Sequence, residues 1–472
     1  MERITDFLLA HSRKKAVSFH MPGHKGTAIY EENGYGEFLG QIMDCDITEI
    51  PGADNLFQTE GIIKETMNAY QSLYPTKASY LLINGSSTGL IAAISAAVPK
   101  NGTLIMARNS HKAIFNGLIM AEAKPVYAYP TLIEDYGISG EITPEEIARC
   151  YEENPTASAV ILPSPNYYGI CSDIEGIAKV VHDHGGILIV DQAHGAHLNF
   201  FDQYVSGEKK SAESLGADIV INSTHKTLAS FTQSAIVNLC SDKVDHYFFE
   251  DKLQMIQSTS PSYLLMASLD INASLLQTKG KALITSWEEN LQYVYEKAEN
   301  IKGLRIMTHP MLDHTKINLD MSELGIDGLT LEALLMEENI FPELVTGDLV
   351  MCMTGIGNKR CDFEKLLEAL QQISAAHQEK KILKPKEKSK QNLTMKRLEQ
   401  HVVPQTKVRV PLADAVGRVC ASSVIPYPPG IPIICPGEVM DKEILEYVKE
   451  LREKGEKVMG IDDQGRVVCG AE

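Results

Sequence analysis

Two stretches in the middle of the chain end apolar runs in residues of complementary chemistry. Asp218-Ile-Val-Ile-Asn-Ser-Thr-His-Lys-Thr227 sets Lys226 just past Ile219 to Ile221, a run that reads as a buried strand of a parallel sheet. Gly186-Ile-Leu-Ile-Val-Asp-Gln-Ala-His194 has the same form one βα unit earlier; its run ends in an acid, Asp191, and the small Ala193 follows two residues later. In open α/β sheets ligands bind at the carboxyl ends of strands, which puts both residues at one crevice. A lysine nucleophile and an acid on a neighbouring strand end are the pair that pyridoxal 5'-phosphate needs. The lysine makes the Schiff base and the acid pairs with the pyridinium nitrogen. Taken singly, each has a plainer reading: Lys226 as a solvated charge, Asp191 as a helix N-cap. The case rests on what else reaches the same strand ends.

The elements that must carry these groups alternate. Strands are predicted over Tyr80 to Ile83, Thr103 to Met106, Val126 to Tyr129, Ala159 to Leu162, Ile187 to Val190, Ile219 to Ile221 and Ala235 to Leu239, with helical segments such as Thr88 to Val98 and Glu175 to His184 between them. Seven strands with crossover helices predict an α/β fold around a mainly parallel, doubly wound sheet. The first βα turn has no GxGxxG, which disfavours a nicotinamide site. It reads Asn84-Gly-Ser-Ser-Thr-Gly89 instead, where Gly85 permits a tight turn and Ser86, Ser87 and the free N–H groups of the helix start can hold an anion. A plain Ser/Thr cap is the alternative. The next strand runs into Arg108-Asn-Ser-His-Lys-Ala113, so the His111 imidazole can stack on a flat ring over the same crevice, unless it is an ordinary surface histidine. Pro163-Ser-Pro-Asn-Tyr-Tyr-Gly169 shapes a loop at another strand end.

Composition bounds the function. The 472 residues suffice for two or three domains, and 44% hydrophobic with 22% charged residues is ordinary for a soluble enzyme. A net charge of -18 argues against a nucleic-acid partner. Nine scattered cysteines without a CxxC pair fit reduced thiols in a cytoplasm and no zinc site. No apolar window reaches membrane-span length and no signal-peptide core is present, so no membrane association is expected.

Residues 1–60 read as an arm that packs on something, a partner subunit being one choice; His20 and His24 lack further ligands at metal spacing and read as structural. Residues 61–285 form the large domain. A helix rich in Glu and Lys leaves it near Ser286, and 286–377 makes a smaller α/β unit with a strand at Thr315 to Leu319 and a helix at Thr330 to Glu337. The lysine-rich 378–400 reads as a solvated linker, and 401–472 as a last unit in which the Pro-rich Ile425 to Pro432 leads to a turn at Pro436-Gly437 and then Glu438.

These motifs together resemble the Orn/Lys/Arg decarboxylases of the fold-type-I pyridoxal-phosphate superfamily. His20-Met-Pro-Gly-His-Lys-Gly26, Asn84-Gly-Ser-Ser-Thr88, Arg108-Asn-Ser-His-Lys112, Asp191-Gln-Ala-His194, Ser223-Thr-His-Lys226, Thr259-Ser-Pro-Ser-Tyr263 and Tyr427 through Glu438 occur in the family's order over nearly the whole chain. The flavodoxin-like wing that opens the larger bacterial members is not in this sequence. The resemblance implies roles. Lys226 carries the cofactor, Asp191 pairs with its ring nitrogen, and His111 and Ala193 lie on the two ring faces. Ser86, Ser87 and Ser223 bind phosphate, and His225 lies beside the lysine. Thr259 reaches the phosphate of a neighbouring subunit, which implies a homodimer or higher homo-oligomer with shared sites. Glu438 meets the distal cation of the substrate.

The expected reaction is decarboxylation of arginine, lysine or ornithine in polyamine or diamine metabolism. A protonated ring accepts the electron pair left at Cα, and binding the substrate's far end orients the bond to be broken. Lys226 or His225 is placed to return the proton. Two other readings stay open: another fold-type-I reaction, such as aminotransfer or a lyase, which would use the same Lys226 and Asp191, and a non-catalytic polyamine-sensing regulator.

Overall fold

The computed structural model describes residues 3–205, 207–377, 396–427, 432–453, 455 and 457–471. Most of the expected linker, and 428–431 of the Pro-rich segment, lie outside the described residues. The elements that bear on the site are, in chain order, helix α1 (Ile4–Arg13), strand β1 (Val17–Phe19), α2 (Ile62–Leu73), β2 (Ala78–Leu82), α3 (Ser86–Ala97), β3 (Thr103–Ala107), α4 (Lys112–Met120), β4 (Lys124–Ala128), β5 (Ala159–Pro163), β6 (Ile187–Asp191), β7 (Ile219–Asn222) and β8 (Ala235–Leu239). There follow α5 (Tyr263–Ala298), β9 (Arg305–Ile306), β10 (Lys316–Asp320), α6 (Gly328–Glu337), β11 (Ile340–Pro342), β12 (Leu344–Thr346), β13 (Leu349–Met353), α7 (Arg360–His377), β14 (Lys407–Pro411), α8 (Lys442–Glu453) and β15 (Arg466–Gly470).

The seven strands predicted from the apolar runs are the seven strands of the central sheet, in the order β2-β8-β7-β6-β5-β3-β4. The five strands β7-β6-β5-β3-β4 pair in parallel, and β8 runs antiparallel to both its neighbours, β7 and the edge strand β2. Their residues are almost wholly buried, as strands covered on both faces must be. The sheet is therefore mixed and mostly parallel, as expected.

One expected helix starts earlier than the sequence suggests. No element begins near Ser286; α5 runs unbroken for 36 residues from Tyr263, capped by the Ser262 side chain on Leu265 N–H. Its sequence holds no proline, and Ile271, Leu275, Leu276, Ile284, Trp287 and Leu291 keep an apolar stripe in the core. The helix spans what was read as a domain junction and ties the large unit to the antiparallel sheet β9-β10-β13-β12 of the small one. The N-terminal arm packs on its own chain: β1 pairs in parallel with β11, Val17 opposite Ile340. In the C-terminal unit β14 and β15 pair antiparallel beside α8, over a core of Ile433, Ile434, Met440, Ile444 and Val448. Among the described residues no helix is long and apolar enough to cross a membrane, and no group of three or more His, Cys, Asp and Glu is placed to hold a metal ion.

Candidate functional site

A crevice opens at the carboxyl ends of β3, β5 and β6 and is lined by Ser86, Leu90, Asn109, His111, Pro163, Pro165, Tyr167, Asp191, Ala193, His194 and Lys226. The parallel strands all deliver their carboxyl ends to one edge, so residues more than a hundred positions apart meet there.

Lys226 sits in a single helical turn, Thr224–Thr227, directly after β7. The turn is held from outside by the arm. Gly23 N–H donates to His225 O at 2.8 Å, and Ile356 N–H donates to Thr227 O at 2.9 Å. Only glycine fits at 23, because a Cβ there would lie 2.4 Å from the Thr227 carbonyl carbon. This is the structural use of the His20–Gly26 motif. Lys226 Nζ lies 2.9 Å from His194 Nε2. Burial lowers the lysine's pKa from its ordinary value, and the charges of Asp191 and Glu343 oppose that shift.

Asp191 ends β6, buried, with Oδ1 accepting Ala193 N–H at 3.2 Å. Burial raises its carboxyl from the ordinary value, countered by Lys226 and that N–H. His111 caps α4: its Nδ1 accepts Ala113 N–H at 3.2 Å, which fixes the ring, and burial followed by the Lys226 charge pushes its pKa down to about 4. It is a neutral imidazole at neutral pH.

The anion end is built as α3 begins. Gly85 takes φ +81, a left-handed conformation that suits glycine, and no side chain caps the helix behind it. Ser86 and Ser87 occupy the first two helical positions, where N–H groups lack intrahelical acceptors. Ser223 is fully buried, and its Oγ has no hydrogen-bond partner among the described residues. A buried hydroxyl without a partner, free N–H groups at a helix start, a lysine and a buried acid form a donor set that fits a phosphorylated pyridine aldehyde.

Three expected residues stand elsewhere. His225 turns from the crevice and bonds Ser234 O through Nδ1 at 2.7 Å; burial pushes its pKa to about 4. Thr259 is exposed on the bend between the helix His246–Ile256 and α5, outside the lining of this crevice. Glu438, expected to meet a substrate cation, is engaged within the chain. Its carboxylate is fully buried and taken twice by Arg108, Nε to Oε1 and Nη2 to Oε2, each at 2.7 Å. Cys435 N–H adds a third bond at 2.7 Å, and Arg108 Nη1 donates to Pro432 O at 2.6 Å. A bidentate pair with both groups out of water leaves the carboxylate no exposed face for a ligand. The pair docks the C-terminal unit on the loop that begins after β3 and presents Asn109 and His111.

Sequence reasoning passed over His194, although the motif Asp191-Gln-Ala-His194 ends in it. Its carbonyl accepts Lys316 Nζ at 2.9 Å, and the same ammonium donates to Asp313 Oδ2 at 2.6 Å. Asp313 also meets His197 Nε2 and the Thr315 hydroxyl, all buried. Burial would raise Asp313, yet Lys316 and His197 outweigh it and hold the carboxyl well below its usual range. Glu343, after β11, accepts Met21 N–H at 2.8 Å and was also unforeseen.

A family model described as Orn/Lys/Arg decarboxylase, major domain, matches residues 3–319, and the C-terminal domain model of the same family matches 376–466. The chain is 31% identical to an arginine decarboxylase of Bacillus anthracis and 30% to one of Bacillus subtilis, each over 97% of this chain and 94% of the relative. It is 24% identical to the lysine decarboxylase LdcA of Pseudomonas aeruginosa, over 94% of this chain and 75% of that protein. Among solved structures, lysine decarboxylase A from Pseudomonas aeruginosa superposes with a TM-score of 0.77 at 21% identity, over 99% of this chain and 80% of that one. The fold is that of fold-type-I enzymes.

Proposed function

We propose that this chain, which belongs to the Orn/Lys/Arg decarboxylase family and is a decarboxylase, removes carbon dioxide from arginine with pyridoxal 5'-phosphate as its cofactor. The observation that carries the cofactor is the meeting of Lys226, Asp191 and the α3 start at one crevice, with Ser223 Oγ buried beside Lys226's turn and unpartnered. Arginine is preferred over lysine because arginine decarboxylases stand among the relatives near 30% identity over almost the whole chain, whereas the lysine decarboxylases of Pseudomonas aeruginosa and Escherichia coli stand at 23–24%.

In this reading Lys226 attaches the cofactor, Ser86, Ser87 and Ser223 hold its phosphate, and His111 and Ala193 bound the ring. The cofactor, when bound, supplies the electron sink for the pair left on the substrate carbon as carbon dioxide departs. Asp191 holds a proton on the ring nitrogen: a carboxylate destabilised by burial gains most from a cation placed against it. His111, neutral and fixed by Ala113 N–H, offers a flat face without adding positive charge. Tyr167 and the prolines wall the crevice against water, which strengthens each of these interactions.

The product of arginine is the guanidino amine agmatine, a precursor suited to polyamine metabolism. The working unit in this reading is a homodimer, in which Thr259, exposed and outside its own crevice, reaches the neighbour's phosphate; the unburied apolar residues Ile4, Phe7 and Leu8 of α1 supply surface for such a partner.

The test is carbon dioxide release from arginine, lysine and ornithine by purified protein with added pyridoxal phosphate, with Lys226→Ala as control. Release from arginine that the variant loses is expected. Release from lysine or ornithine alone would overturn the substrate, and no release from any of the three would overturn the reading.

A further inference from the structure

His194 lies against the one lysine on which the chemistry depends, and the roles set out above leave it unused. Its Nε2 is 2.9 Å from Lys226 Nζ, its side chain is buried, and it lines the crevice. Its other ring nitrogen, Nδ1, is buried without a hydrogen-bond partner among the described residues. An imidazole kept only for packing would be expected to satisfy both nitrogens or expose one, since each orphaned buried polar atom is costly.

The surroundings fix both its charge and its place. Burial first, then the charges of Lys226 and Lys316, hold the His194 pKa well below its ordinary value; Asp313 is the group that opposes them, and His111 adds to the lowering. The ring is therefore neutral, with one nitrogen free to accept. Its position is set from both sides. Lys316 Nζ grips the His194 carbonyl at 2.9 Å while anchored on Asp313, and the Tyr167 ring lies 5.0 Å away, centroid to centroid. A neutral, immobilised acceptor against an amine has one evident use: it decides where the amine points.

We propose that His194 is a positioning residue for Lys226, accepting a hydrogen bond from the lysine ammonium at Nε2 and so directing its proton to the substrate carbon that has lost carbon dioxide. The proposal rests on the decarboxylase reading above. Its balance is simple. The carboxylate leaves as carbon dioxide, the pair it leaves behind is protonated by Lys226, and the lysine becomes the neutral amine it must be to attach the cofactor again. The product amine then takes one proton from water. If Lys226 pointed elsewhere, its proton would miss the substrate carbon and could be delivered to the cofactor side instead. The same carbon dioxide would then be released, but water would cleave the substrate's carbon–nitrogen bond and supply the oxygen of an aldehyde one carbon shorter, the nitrogen staying with the cofactor. The fraction of turnovers ending in aldehyde therefore reports where the lysine's proton goes, which a purely structural residue would not control.

Two readouts test this. The first uses protein free of cofactor: the pH profile of Lys226 labelling by an amine-reactive reagent, located by peptide mass. An accepted hydrogen bond stabilises the ammonium, so His194→Leu is expected to move the Lys226 midpoint about one pH unit or more lower, the size of losing a bond to a charged donor. The second is the ratio of aldehyde to amine formed from arginine by the loaded enzyme, expected to rise about tenfold or more in the same variant. His194→Gln, whose amide oxygen reaches the Nε2 position, should restore both values toward wild type. His194→Asn, whose oxygen falls at the Nδ1 position, should not. If His194→Leu does not fold, the Gln and Asn pair decides: unequal behaviour in the expected direction supports the proposal, and equal behaviour overturns it. A wild-type labelling profile or a wild-type product ratio in a folded His194→Leu overturns it as well. Failure of the decarboxylase reading looks different, because wild-type protein would then release no carbon dioxide while the labelling experiment still reports on His194.

Discussion

Removing Glu438 from the buried pair separates the two roles open to that residue, substrate contact or internal anchor. In Glu438→Ala the Arg108 guanidinium stays fully buried with Pro432 O as a remaining acceptor, and Cys435 N–H loses its partner. Stranding one member of a buried ion pair costs about 3–5 kcal/mol, and an orphaned buried N–H falls within about 1–3 kcal/mol, part of which is the same desolvation. A loss of about 4 kcal/mol follows, roughly a thousandfold in the folding equilibrium. Equilibrium urea denaturation would measure it, and limited proteolysis would show whether the C-terminal unit is the part released. Turnover should fall too, since Arg108 leads directly into Asn109 and His111 of the crevice. The decisive variant carries Arg108→Met and Glu438→Leu together. Replacing a whole buried pair by apolar groups of similar volume is often neutral, so the double variant should recover to within about 1 kcal/mol of wild type and recover an ordinary KM for its substrate. A double variant that is stable but has a KM raised tenfold or more refutes the anchoring account and returns Glu438 to the substrate. So does a single variant that is fully stable yet binds substrate poorly.

The arm offers two further tests. Lys25 is only partly buried as a residue, but its ammonium is enclosed between His20 O at 2.5 Å and Met353 O at 3.1 Å, and burial pushes its pKa down to about 7. The folded value lies below the unfolded one, so between about pH 7 and 10 the unfolded chain binds the extra proton and stability rises with pH by up to about 1.4 kcal/mol per unit. Wild type should therefore gain about 1–2 kcal/mol on Lys25→Met between pH 7.5 and 9 in paired urea titrations; parallel curves would refute the buried-amine account. Gly23→Ala sets a methyl 2.4 Å from the Thr227 carbonyl carbon and 2.6 Å from Leu228 O, where only backbone can give way. We expect a loss of about 1–3 kcal/mol and weaker cofactor loading by absorbance, because the displaced turn carries Lys226; unchanged loading would show that the arm does not set the lysine.

What the sequence disclosed and what it hid divide by distance along the chain. The seven apolar runs were legible because burial on both faces makes a strand continuously hydrophobic, whatever it pairs with, and each was placed to within about two residues. Lys226 and Asp191 were legible because a parallel sheet sends strand ends to one edge, so a position in a strand implies a position in space. The antiparallel course of β8 was not, since a two-fold period reads the same in both directions. The continuity of α5 was missed because an exposed, charged half and a buried, apolar half differ in composition more than in helical period. The internal partner of Glu438 was hidden for a related reason. An acid after a proline-rich turn reads as a ligand for a cationic substrate, and nothing near it in the sequence points to Arg108, 330 residues earlier, which occupies both of its oxygens. His194 was in view, but its partners were not: Lys226 lies 32 residues away and Lys316 122. Charge pairing within the low dielectric of a fold is set by whichever groups the topology brings together, and a single sequence carries no local trace of that choice. A reading of motifs can therefore find the residues of such a site, while the protonation state and hydrogen-bond commitments that decide their roles come from the packed structure.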